Sequence, residues 1–180
     1  MKIEPTPLKD CFILKPDVFI DKRGTFIETF NKKTFKKVTG FNIDFVQDNQ
    51  SVSEYGVLRG LHFQKGEMAQ AKLVRVAKGE VLDVVVDLRK ESPTFGKHFS
   101  IRIDDASNLQ IFIPRGFAHG FVVLSKTAVF CYKCDNYYDK TSESGIFYND
   151  ATLNIDWYLP QEELIISKKD KTLPTLKELL

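Results

Sequence analysis

Val57-Leu58-Arg59-Gly60-Leu61-His62-Phe63-Gln64 is the stretch on which the fold turns. As a strand it alternates, with Val57, Arg59, Leu61 and Phe63 on one face and Leu58, Gly60, His62 and Gln64 on the other. Each face then mixes apolar and polar groups, whereas a strand on an ordinary core keeps its polar groups to one side. The pattern predicts a strand bordering a partly buried, partly wet space that holds Arg59 and His62. An arginine close to a histidine there suits a site that binds an anion and moves a proton. A core histidine bonded to a backbone carbonyl is the plainer alternative, and these eight residues alone leave both open.

Outward from this stretch the chain is mostly strands. Residues 45–53 precede it and are expected to pair with it across a turn at Glu54-Tyr55-Gly56. Residues 65–70 form a loop, followed by strands at 71–77 and 80–88 about a turn at Lys78-Gly79. Val81-Leu82-Asp83-Val84-Val85-Val86 is the most β-prone run in the chain. Strands follow at His98–Asp104, where Phe99, Ile101 and Ile103 share a face, and at 109–113, 120–124 and Thr127–Cys134. On the N-terminal side, residues 11–15 and 25–30 are strands, with Asp21-Lys22-Arg23-Gly24 as a turn. Helices are few. Asn31 caps one at 32–38 that Gly40 ends, and Pro174 opens another at 175–180. Many short strands with turn residues between them predict one all-β domain over residues 1–180, a sandwich or barrel with a few short peripheral helices.

Composition removes several functions. Lys+Arg is 26 and Asp+Glu is 24, a net charge of +2, without the concentrated basic face of a nucleic-acid binder. No apolar run approaches the roughly 20 residues of a membrane helix. The first 14 residues lack a signal-peptide core, so a cytoplasmic location is expected. Three cysteines fit a reducing compartment. Cys131 and Cys134 have C-x-x-C spacing, but on an extended strand they face opposite sides about 10 Å apart, so they are structural.

Pro114-Arg115-Gly116-Phe117-Ala118-His119 resembles the second motif of the cupin superfamily, in which a tight turn delivers a histidine to the inner face of the next strand. Metal-binding cupins have H-x-H in the first motif. Here the matching place is His62-Phe63-Gln64, and two histidines with an amide make a poor transition-metal site, so no metal is expected.

The motifs taken together are far more specific. Asp21-Lys22-Arg23-Gly24-Thr25-Phe26-Ile27-Glu28, Gln47-Asp48-Asn49, the stretch from Leu58 to Gln64, Lys72-Leu73-Val74-Arg75 and Gly116-Phe117-Ala118-His119-Gly120 occur in order. Tyr132, Asn136-Tyr137-Tyr138, Ser142-Glu143, Asn149-Asp150 and Ser167-Lys168-Lys169-Asp170 follow. Across nearly its whole length the chain resembles the dTDP-4-dehydrorhamnose 3,5-epimerase family of dTDP-sugar epimerases. The resemblance implies a cupin-type jelly-roll β-sandwich or barrel and the substrate dTDP-4-dehydro-6-deoxy-D-glucose. Its C3 and C5 hydrogens are α to the C4 ketone, so epimerisation proceeds through enolates with no metal or redox cofactor. Such an enzyme needs a base, a cation for the enolate oxygen and an acid on the far side.

By the same resemblance His62 is the base, Asp170 its partner, Lys72 the cation and Tyr132 the acid. His119 lies near the sugar without a proton-transfer role. Arg23, Arg59 and Lys169 are the diphosphate contacts. Gln47 and Asn49 offer amides to the base or sugar hydroxyls, Glu28 and Glu143 contact nucleoside and sugar, and Phe26 and Tyr138 stack on thymine. A homodimer is implied, with N-terminal strands exchanged so that a neighbour's Arg23, Phe26 and Glu28 finish each site. Two other classes stay open from the residues alone: a metal-dependent cupin enzyme, disfavoured by Gln64, and a silent sugar-nucleotide-binding cupin. A relative that inverts only one centre would carry the same His and Tyr.

Overall fold

The computed structural model describes residues 1–179. Its strands are β1 (Lys2–Pro5), β2 (Phe12–Lys15), β3 (Val18–Asp21), β4 (Gly24–Ile27), β5 (Gln47–Glu54), β6 (Val57–Gln64) and β7 (Lys72–Lys78). The chain continues through β8 (Glu80–Asp87), β9 (His98–Asp104), β10 (Gln110–Ile113), β11 (Phe117–Val123), β12 (Thr127–Cys134), β13 (Glu143–Gly145) and β14 (Ile165–Ile166). Helices α1 (Lys32–Thr39) and α2 (Leu176–Leu179) and three single 3₁₀ turns lie outside the sheets. The helix expected at 175–180 thus begins at Leu176, and its residue 180 lies outside the described residues. Among the described residues no helix is long and apolar enough to cross a membrane.

Two sheets face each other as a jelly-roll sandwich, the all-β class that the strand pattern predicts. One is ordered β1-β2-β10-β7-β12-β5, the other β13-β6-β11-β8-β9, with β14 added parallel to β6. Period-2 alternation sends Val74, Val76, Ile111 and Phe130 from the first sheet against Val81, Val85, Ile103 and Phe121 from the second. The first sheet's outer face packs Leu14, Leu73 and Phe112 under Phe35 of α1. The second sheet's outer face packs Leu58, Leu82, Val84 and Val122 under Tyr148, Leu153, Trp157 and Leu176 of the C-terminal stretch. β8 is therefore buried on both faces, which is why its stretch from Val81 to Val86 is an apolar run broken only by Asp83. Asn31 caps α1 as its sequence predicts, its Oδ1 accepting from Lys33 N (3.0 Å) and Thr34 N (3.2 Å), and Gly40 closes the helix at φ 79°.

Two local expectations are corrected. β5 and β6 do not pair as a hairpin: β5 ladders with β12 in one sheet and β6 with β11 in the other. The turn at Tyr55-Gly56 carries the chain between the sheets. β5 forms eight registered pairs with β12, from Thr127↔Glu54 to Cys134↔Gln47, and that ladder outweighs a local hairpin. The second correction concerns β6 and is described with the site it creates. β1 and β3 are strands that the residue pattern did not single out. β3 and β4 form a two-stranded sheet of their own.

Candidate active site

Strict alternation would put Arg59 and His62 on opposite faces of β6. The structure instead pairs His119 with His62 and Phe121 with Arg59, so that between these pairs one residue of β11, Gly120, faces two of β6, Gly60 and Leu61. The extra residue is a β-bulge, and it reverses the alternation so that both side chains enter the same cavity. Gly60 permits it. Its φ is 135°, and a Cβ there would lie 2.5 Å from the Gly120 Cα.

The cavity between the sheets has a volume of about 600 Å³. His62, Arg59 and His119 enter from one sheet, Lys72 and Tyr132 from the other, and Lys169 and Asp170 from the C-terminal segment. Its apolar wall includes Val57, Ile165 and Ile166 and the stacked rings of Phe121 and Phe130, whose centroids lie 4.1 Å apart. A recess of about 280 Å³ shares His62, Lys72 and Tyr132 with it and extends to Gln47, Asn49, Tyr138 and Glu143.

His62 Nε2 lies 2.8 Å from Asp170 Oδ1, which leaves Nδ1 as the ring nitrogen for proton transfer. Asp170 is buried at 3% exposure, and its Oδ2 accepts from Gly60 N at 3.3 Å. Burial opposes its charged form, but the bonds to His62, Gly60 N and Ser167 outweigh this and hold the carboxyl below the ordinary range. A second His–Asp pair stands behind the cavity: His119 Nε2 lies 2.8 Å from Asp83 Oδ2, and the imidazole stacks on Phe130. Arg59 Nε donates to Ser53 Oγ at 3.2 Å, a link across the sheets where a β5–β6 hairpin would have run.

The Lys72 ammonium stands 5.9 Å from the centroid of the Tyr132 ring. Desolvation pushes its pKa down, more than the negative groups around it restore. Desolvation acts oppositely on the Tyr132 phenol, raising its pKa and keeping the proton on it through the neutral range. At the recess mouth Tyr138 OH donates to Glu143 Oε2 (2.9 Å), and Lys169 forms an ion pair with the same carboxylate. Gln47 Nε2 donates to Asn49 Oδ1 (3.0 Å), and Gln47 Oε1 accepts from Tyr138 N (2.8 Å), so the two amides already hold one another.

Arg23, Phe26 and Glu28 are not part of this cavity. Arg23 forks onto Asp21 in the β3–β4 hairpin, Phe26 is 67% exposed, and Glu28 accepts from Asn31 Nδ2 beside the α1 cap. The Gln64 amide is committed elsewhere: Nε2 donates to Met68 O and Tyr137 O, and Oε1 accepts from Asp139 N, so it fastens two loops. Among the described residues no three His, Cys, Asp or Glu side chains are grouped to hold a metal ion. Cys11, Cys131 and Cys134 are buried free thiols. Sequence reasoning missed Asp83, Ser53 and the apolar wall. Asp83 had a signal, a lone carboxylate inside the chain's most β-prone run.

This geometry supports acid–base chemistry on two faces of one bound molecule. His62, oriented by Asp170, faces from one sheet. Tyr132, with its proton retained, faces from the other, and a desolvated ammonium stands beside it for a developing oxyanion.

The comparisons agree with this arrangement. A family model described as dTDP-4-dehydrorhamnose 3,5-epimerase matches residues 5–178. The dTDP-4-dehydrorhamnose 3,5-epimerase of Salmonella typhimurium is 49% identical over 183 residues, which is 100% of this chain and 98% of that protein. The crystal structure of the Elizabethkingia anophelis enzyme of the same name superposes with a TM-score of 0.96 at 56% identity, covering 99% of this chain and 97% of that one. A Legionella pneumophila 3,5-epimerase solved in complex with dTDP-4-keto-L-rhamnose gives a TM-score of 0.94 at 44% identity, over 98% and 93% of the two chains. The chain therefore belongs to the dTDP-4-dehydrorhamnose 3,5-epimerase family of isomerases, with the cupin-like fold of that family.

Proposed function

We propose that the chain converts dTDP-4-dehydro-6-deoxy-D-glucose to dTDP-4-dehydro-L-rhamnose by inverting C3 and C5, as a single catalytic domain, without a metal or redox cofactor. The observation that carries this is the His62–Asp170 pair facing Tyr132 and Lys72 across one cavity. At each centre His62 Nδ1 takes the C–H proton, and its electron pair becomes the enolate whose oxygen the Lys72 ammonium holds. Tyr132 then gives its proton to the same carbon from the opposite sheet, which inverts it, and between the two centres His62 returns its proton to solvent while the Tyr132 phenolate takes one from it. Arg59 and Lys169 bind the diphosphate, and Gln47, Asn49, Tyr138 and Glu143 the nucleotide and sugar, with His119 beside the sugar.

The working form in this reading is a cytoplasmic homodimer. The β3–β4 hairpin supports it: Phe19, Ile20 and Phe26 are 60%, 78% and 67% exposed, and a two-stranded hairpin is marginal in water by itself. Seated on a second copy, it would bury that apolar surface and bring Arg23, Phe26 and Glu28 to the neighbour's cavity.

The test is incubation with dTDP-4-dehydro-6-deoxy-D-glucose in deuterated water, with deuterium counted at each carbon. Label at both C3 and C5 is the expected result. Label at one carbon would make the chain a single-centre epimerase, and none at all would overturn the proposal.

A further inference from the structure

Asn149-Asp150 is a motif of the sequence to which the chemistry above gives no task. Asp150 is 3% exposed, does not line the substrate cavity or its recess, and has its carboxylate engaged with backbone. Oδ1 accepts from Thr152 N (2.8 Å) and Leu153 N (2.9 Å), while Oδ2 accepts from Leu176 N (2.7 Å). The first two bonds shape its own loop. The third reaches 26 residues along the chain to the segment that carries Lys169 and Asp170.

That segment is fastened at two ends. Upstream its hold is slight: β14 is two residues long, paired to Val57 and Leu58, with Ile165 N donating to Gly56 O. Between the ends, Asp170 N to Ser167 Oγ and Thr172 N to Lys169 O set the shape of the turn, and the turn meets the sheet only through the site's own contacts, Asp170 on His62 and Gly60 N and Lys169 on Glu143. Downstream the hold is firm. Leu173 packs onto Gly145, where a Cβ would lie 2.7 Å from its Cδ1, and Gly145 is the register partner of His62. Phe147 N donates to Pro174 O at 2.8 Å. Leu176 then enters the apolar cluster of Tyr148, Leu153 and Trp157, locked by Asp150. Five residues, 171–175, separate this lock from Asp170.

We propose that Asp150 is a positioning residue for the epimerase reaction: by locking Leu176 it fixes the C-terminal arm, and so sets where Asp170 holds the His62 imidazole. The inference rests on the reading of His62 as the base oriented by Asp170. A buried carboxylate taking three N–H groups is a strong, directional anchor. A base displaced by a fraction of an ångström loses much of its rate while substrate still binds.

The test is a double-mutant cycle. Asp150→Asn keeps one acceptor for the loop and sets an NH₂ against Leu176 N–H, donor against donor. Leu176→Ala loosens the same anchor from the apolar side. Each is measured alone and with Asp170→Asn, reading kcat for epimerisation and hydrogen exchange in deuterated water, after a melting curve shows the fold intact. Each single variant should lower kcat about tenfold, and by less than about twofold once Asp170 is already Asn, because what the anchor positions is then gone. Additive losses, as a merely structural residue would give, or an unchanged kcat for the single variants, overturn the anchor inference alone. An Asp170→Asn enzyme with undiminished kcat overturns the reading of the base and the inference with it.

Discussion

His62 and Tyr132 are separable by what each variant leaves behind. His62→Ala should abolish exchange at C3 and C5 while dTDP binding, measured by calorimetry, stays largely intact, since the proposed diphosphate contacts are the side chains of Arg59 and Lys169. Asp170→Asn should cost less, because the imidazole remains and only its orientation and basicity suffer. Near-normal turnover by His62→Ala would end the mechanism. Tyr132→Phe keeps shape and loses the hydroxyl, so exchange should persist from the His62 side while net inversion falls about 10²–10⁴-fold. Equal loss of both would make Tyr132 a positioning group. Lys72 adds a pH dependence. Its ammonium is desolvated, so its pKa lies below the 10.5 of an ordinary lysine, and the charged form is lost as pH rises through that lowered value. The alkaline fall of kcat/KM should therefore begin early and vanish in Lys72→Arg, which stays charged; an unmoved limb would assign it to Tyr132. At this scale motifs made His62, Lys72 and Tyr132 legible as candidates, and the fold brings all three to one cavity. Asp83 and Ser53 were not, because their tasks, holding His119 and Arg59, exist only once distant strands face each other.

Elements were legible where the signal is local and hidden where it is a choice of partner. The α1 caps, the β8 run and the bounds of β12 follow from propensity and periodicity within a few residues. Whether β5 joins β6 or β12 does not, because each sequence is compatible with either ladder and only the assembled sandwich decides. The bulge in β6 is intermediate: an isolated glycine within a strand is its known sign, but the alternation of the eight residues concealed it. The bulge makes its own prediction. Gly120 faces it so closely that a Cβ would lie 2.7 Å from Arg59 O and 3.1 Å from the Gly60 Cα. Neither is a flexible side-chain end, so Gly120→Ala should push β6 from β11 and cost about 1–3 kcal/mol of stability. It should also pull Arg59 and His62 out of their shared cavity, lowering both dTDP affinity and kcat. A melting curve and turnover unchanged from the parent would show that the bulge does not set the phase of β6.

At the scale of the whole molecule, the three expected contacts missing from the cavity, Arg23, Phe26 and Glu28, lie on or beside the exposed β3–β4 hairpin. Sequence could associate these residues with the site but could not say whose cavity they serve, since a contact between copies leaves no mark on strand periodicity. Subunit mixing decides it. Arg23→Ala and His62→Ala homodimers should each be impaired. If the hairpin completes its neighbour's site, a hybrid dimer has one cavity carrying both changes and one carrying neither. With random exchange about half the dimers are hybrids and one site in two is intact, so about a quarter of the parent activity should return on mixing. If the hairpin instead serves its own chain, every site in the hybrid carries one lesion and mixing restores nothing. Sedimentation of the parent at assay concentration gives the companion measurement. A monomer there would remove the exchange altogether and leave the exposed faces of Phe19, Ile20 and Phe26 without a seat.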